Sequence, residues 1–230
     1  MCVFLSMRAS LLLLLFLIVP SVAAWNWDTH EAIMTSTYYQ LNDSLRETLD
    51  LEKLQEGSVI PDKVFQDFSK HGFPEAIDKT NYWLDQTQRF LDLEDYNNAS
   101  ISFGIASHYV SDSFAAPHSV SGEPYSLHRW YEDQASQDYL YAPCLEQNLA
   151  LKDLIYTGSQ QGQTWKDWLE KHDAAFPQEA TREATTYFTA LALHFFDDTF
   201  HSFETQTEEV PFTFTLTTYL FLGIILLGMG

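Results

Sequence analysis

The chain is poor in cysteine and in positive charge. Its 230 residues include only two cysteines, Cys2 and Cys144. Cys2 lies in an N-terminal leader, so Cys144 is left alone. A single remaining thiol excludes an intramolecular disulfide framework, and stability must come from packing or bound metal. Lysine and arginine total 12 against 32 aspartates and glutamates, a formal net charge of −20. Arg8 is the only charge in the leader, so the chain after residue 24 carries 11 − 32 = −21. Such a surface repels phosphate backbones and counts against strong nucleic-acid binding. Strand signals are also sparse, and no internal repeat or low-complexity segment is visible.

Aromatic residues, by contrast, are plentiful. With 6 Trp, 12 Tyr and 17 Phe, and 46% hydrophobic residues overall, the chain can fill the core of one globular domain. Residues 1–24 have a short N-terminal region with Arg8, an apolar run from Ala9 to Pro20, and the small residues Val22, Ala23 and Ala24. This is the pattern of a secretory signal peptide, cleaved to expose Trp25; the apolar run is shorter than the ~20 residues of a membrane span. A helical domain is expected over residues 25–205. Residues 210–230 are free of charge and read as a C-terminal hydrophobic membrane anchor; a processed tail and a buried core helix are the alternatives. The protein is therefore expected to be exported and membrane-anchored. Asn42-Asp-Ser44 and Asn98-Ala-Ser100 are N-glycan sequons.

The intervening chain reads as helical almost throughout. Candidate helices run from Thr29 to Leu49, from Pro74 to Tyr96, from Asn98 to Ala116 with Pro117 as the stop, and from Pro124 to Tyr139. Others run from Pro143 to Tyr156, Trp165 to His172 and Gln178 to Phe203. Pro61 followed by Asp62 resembles a helix start, with proline in the first turn. The expected fold class is all-α, a compact bundle of about seven to nine helices.

The segment from His108 to Glu132 carries the densest chemistry. His108 and Asp112, and again His128 and Glu132, are spaced four apart, which puts each pair on one helix face with Cβ atoms about 5–6 Å apart. An imidazole and a carboxylate so placed can reach one metal ion. Taken singly, such a pair is more often a surface hydrogen bond. Here it belongs to an ordered set of nine: Trp25, His30, Asp62, His71, His108, Asp112, His118, His128 and Glu132. His172, His194 and His201 fall outside it.

This ordered set resembles the zinc-dependent phospholipase C and single-strand nuclease superfamily, over roughly Trp25 to Glu132. The resemblance implies an all-helical fold of the zinc-dependent phospholipase C type and three Zn²⁺ ions. Asp62, His71, His108 and Asp112 would hold the first ion, and His118, His128 and Glu132 the second. The third would sit on the Trp25 main chain, His30 and Asp112, so that Asp112 bridges two ions. The family needs a free α-amine at that tryptophan, where the small-residue pattern places cleavage. Nitrogen and carboxylate ligands suit Zn²⁺, and a carboxylate-bridged metal pair can draw the pKa of a bridging water toward neutrality. Asp62 would also act as general base. The gaps from Asp62 to His71 and from His118 to His128 are short for the family, which alters the cleft walls.

The implied reaction is phosphodiester hydrolysis. A phospholipase C acting on phospholipid head groups is favoured by the acidic charge, the absence of a disulfide framework and the hydrophobic tail. A single-strand-specific zinc nuclease is the alternative, favoured by the spacing from Trp25 to His30. A non-catalytic zinc-binding surface protein is the third. The expected partners are a phospholipid substrate or membrane surface, with the protein a monomer.

Overall fold

The computed structural model describes residues 25–135 and 150–197. Helix α1 spans Trp27–Tyr38 and α2 spans Asp43–Thr48. The single helix expected from Thr29 to Leu49 is broken between them. The reason is Asn42, whose side chain accepts from the Leu45 N–H at 2.9 Å and starts a new helix, a cap worth about 1 kcal/mol. The Tyr38 hydroxyl pins the corner by donating to the Arg46 carbonyl at 2.8 Å.

Helix α3, Leu51–Ile60, begins at Asp50, which accepts from the Lys53 N–H. Pro61 continues this helix instead of starting one. Proline brings no N–H to the ladder, and the chain widens into a π-helical turn over Pro61–Phe65. That turn closes with Gln66 N–H donating to the Pro61 carbonyl at 2.7 Å, and ends because Gln66 takes φ 53°. Asp62 is thereby carried on the widened turn. A 3₁₀ turn over Phe68–Lys70 then leads to His71.

Helix α4, Glu75–Asp92, buries Ala76, Thr80, Leu84 and Thr87, one stripe of an amphipathic helix. Helix α5, Tyr96–Ser113, is capped by Asp95 and buried almost throughout from Ala99 to Ser113. It is the central element, and packs against α1, α3 and α4. A 3₁₀ turn over Ala116–Ser119 takes in Pro117. Helices α6 (Tyr125–Glu132), α7 (Leu151–Gly158), α8 (Gly162–Lys171) and α9 (Ala175–Phe195) complete the bundle.

Phe103 of α5 sits in the main core against Phe188, Phe195 and Phe196 at ring separations of 4.8–5.7 Å. A second cluster of Ala116, Tyr131, Trp165 and Trp168 joins α6 to α8. Among the described residues there are helices and no strands, the all-α class expected. None of these helices is long and apolar enough to cross a membrane. The expected signal peptide and the segment 210–230 lie outside the described residues. Within them, α6 stops at Glu132, short of the expected Tyr139, α7 begins at Leu151 instead of Pro143, and α9 stops at Phe195, short of the expected Phe203.

Candidate metal centre

Helix α5 supplies the centre's floor. His108 and Asp112, one turn apart, are both fully buried, and His108 Nε2 lies 3.2 Å from Asp112 Oδ2. Asp62 arrives from the π turn, with Oδ1 3.5 Å from His108 Nε2 and 3.6 Å from His71 Nδ1. His71 Nδ1 lies 2.7 Å from Asp112 Oδ2. Each of these four residues thus offers one ligand atom, all within 4.8 Å of one another. His118, His128 and Glu132 form a second such group. Within it His128 Nε2 is 2.7 Å and His118 Nε2 is 3.7 Å from Glu132 Oε1. The groups adjoin, since His118 Nε2 is 3.9 Å from Asp112 Oδ2.

His30 of α1 completes the cluster. Its ring stacks on that of His108 at 4.1 Å, and its Nε2 lies 3.4 Å from Asp112 Oδ1. Asp112 therefore turns one oxygen toward His30 and the other toward His71, His108 and His118. Trp25 is fully buried two residues before α1. All nine residues read from the sequence lie in the described structure.

The electrostatics follow from carboxylates buried among imidazoles. Burial opposes ionisation of Asp112, but the surrounding His108, His30 and His118 hold its carboxyl well below the usual range. Burial lowers His30 to about 3, aided by repulsion from His108. Burial also works against protonation of His108, His71 and His128. In each, carboxylate neighbours prevail: Asp112 and Asp62 raise His108 well above 6.5, and Asp112 and Asp67 raise His71. Glu132 and Glu123 raise His128 to about 9.

The donor set fits zinc. Both oxygens of Asp62, both of Asp112, and Nε2 of His30 and His118 are buried with no hydrogen-bond partner. Leaving a buried polar atom unsatisfied costs about 1–3 kcal/mol, more for a charged group. Six such atoms converging on one place mark a ligand-binding site. Nitrogen and carboxylate oxygen are the donors a Zn²⁺ ion takes.

Several supporting residues were not legible in the sequence. The His108 Nδ1–H donates to the Ser58 carbonyl at 2.8 Å, and His30 Nδ1 pairs with Ser111 Oγ at 3.0 Å. His128 Nδ1 faces Glu123 Oε1 at 3.2 Å, and His71 Nε2 faces Asp67 Oδ1 at 3.3 Å. The only signal for Asp67 is its position four residues before His71. In a chain with 32 acidic residues, that spacing carries little weight.

A family described as zinc dependent phospholipase C matches residues 29–185. The match runs from the start of α1 into α9 and takes in every candidate ligand except Trp25. Comparison with curated proteins and with solved structures gave no match.

Proposed function

This chain belongs to the zinc dependent phospholipase C family, and from that premise we propose that it is a phospholipase C, cleaving the phosphodiester between the glycerol backbone and the head group of a phospholipid. The observation that carries this reading is the set of buried oxygens of Asp62 and Asp112 that lie among four imidazoles without a hydrogen bond. We assign Asp62, His71, His108 and Asp112 to one zinc ion and His118, His128 and Glu132 to a second. A third ion is assigned to the Trp25 main chain, His30 and Asp112, which requires cleavage after Ala24. Zinc bound there supplies Lewis acidity toward phosphoryl oxygens and makes a nearby water more acidic.

The chain's own residues perform the remaining tasks. Asp62 stands at the start of the widened turn, with both carboxylate oxygens free of hydrogen bonds. One oxygen would hold the ion, and the other would accept the proton of the attacking water. Asp112 is fixed on the central helix and sets the distance between His30 and the His71–His108 pair. His118 has the most exposed side chain of the seven in the two ligand groups, at 12%, so substrate enters on its side. The strongly negative chain disfavours a polynucleotide, and this favours a lipid diester over single-stranded nucleic acid.

The test is a side-by-side assay of the protein beginning at Trp25 on a phospholipid and on single-stranded DNA, each with added zinc and with a chelator. The reading expects chelator-sensitive release of phosphorylated head group and little DNA cleavage. Efficient DNA cleavage would move the assignment to a nuclease. No hydrolysis of either would favour a non-catalytic zinc-binding protein.

A further inference from the structure

We infer that Asp67 is a positioning residue for the metal centre, fixing His71 as the tautomer with its proton on Nε2 so that Nδ1 faces the metal. The inference rests on the reading of Asp62, His71, His108 and Asp112 as a metal site.

The two imidazoles of that group are held in opposite senses. His108 points Nε2 inward, at Asp112 and Asp62, and gives its Nδ1 proton to the Ser58 carbonyl. His71 points Nδ1 inward, 2.7 Å from Asp112 Oδ2, and turns Nε2 outward to Asp67 Oδ1 at 3.3 Å. An imidazole binds metal through its unprotonated nitrogen, and the hydrogen bond at the other nitrogen decides which one that is. A backbone carbonyl makes the choice for His108. For His71 the choice falls to a carboxylate.

Asp67 is itself held on three sides. Besides His71, it accepts from the Tyr109 hydroxyl at 3.0 Å and pairs with Lys79 Nζ at 2.5 Å. Tyr109 belongs to α5, next to His108, and Lys79 to α4. The carboxylate thus ties the short 66–71 connection to both helices. Lys79 balances its charge, so it adds no net charge beside a site already rich in carboxylates. This gives the short gap between Asp62 and His71 a structural purpose. The chain needs only the π turn and one 3₁₀ turn to bring His71 back over Asp62, and Asp67 locks that return.

The decisive experiment uses protein beginning at Trp25, labelled with ¹⁵N, titrated with zinc alone and read by long-range ¹H–¹⁵N correlation of the imidazole rings. In the zinc-loaded protein, His71 is expected to carry its proton on Nε2 and His108 on Nδ1. Asp67→Asn removes the charge but keeps the side chain's shape. Its zinc affinity at the Asp62 group should fall about 10–100-fold, with zinc retained on His118, His128 and Glu132. His71 bound through Nε2, or Asp67→Asn binding zinc as tightly as wild type, overturns the inference and leaves the metal site standing. Wild-type protein that takes up no zinc overturns both.

Discussion

Gly57 of α3 and Gly104 of α5 touch backbone to backbone. A Cβ on Gly57 would lie 2.2 Å from the Ile101 carbonyl oxygen, and one on Gly104 would lie 2.2 Å from that of Leu54. This contact sets the separation between α5, which carries His108 and Asp112, and α3, which leads directly into the π turn that carries Asp62. Ser58, which orients His108, follows Gly57 directly, and His108 lies one turn beyond Gly104. Gly104→Ala must therefore push the helices apart. Overpacking of this kind costs about 1–3 kcal/mol. Urea unfolding should show that loss, together with weaker zinc binding. An alanine variant of wild-type stability and zinc affinity would mean that the crossing does not govern the site.

Asp112 is the residue on which most ligands converge. Asp112→Asn should empty the first group and weaken the His30 position, leaving about one zinc, on His118, His128 and Glu132. Metal analysis of the purified variant checks this. Undiminished zinc and activity would exclude the shared role of Asp112.

Metal uptake should be coupled to protons. His71 is raised by Asp112 and Asp67; His108 is raised well above 6.5 by Asp112 and Asp62, and His128 to about 9, so in the metal-free protein these last two rings hold protons at neutral pH. Zinc requires neutral imidazole. Binding near pH 7 should release a proton from each of these two, and affinity should fall as pH falls. His30, lowered to about 3, is already neutral and contributes none. Calorimetric titration in buffers of different ionisation enthalpy measures this release. The same shifts act on the metal-free fold. His128 stabilises it most below its ordinary value of 6.5, and that contribution is lost as pH rises through about 9.

The proposed third position requires a chain that starts at Trp25. One extra residue ahead of Trp25 should weaken that position and leave the other two groups loaded. Zinc stoichiometry of the two forms, prepared in parallel, distinguishes them. Equal stoichiometry would remove the Trp25 main chain from the ligand set.

Much of this centre could be read before any coordinates. Imidazoles and carboxylates four apart define a helix face for His108 with Asp112 and for His128 with Glu132, and the resemblance to the zinc-dependent phospholipase C superfamily extends these to nine candidates. The bundle was legible for similar reasons, since α4 and α5 announce themselves by apolar spacing and by the proline beyond. Helix α3 was not, although Asp50 and the leucines at 51 and 54 were in view. Pro61 suggests a start where it marks a widened continuation, because the role of a proline depends on what precedes it. The break at Asn42 was missed for the same reason: a capping side chain and a mid-helix asparagine look alike in sequence. Supporting contacts were the least legible. Ser58 acts through its backbone carbonyl, which no side chain encodes. Asp67 and Glu123 are acids among many, marked only by where the fold brings them.

The most direct test of the account is the zinc content of protein beginning at Trp25, purified under metal-replete conditions. The account predicts about three zinc ions per chain, one for each ligand set. A content near zero would contradict it, since the buried oxygens of Asp62 and Asp112 would then have some partner other than metal.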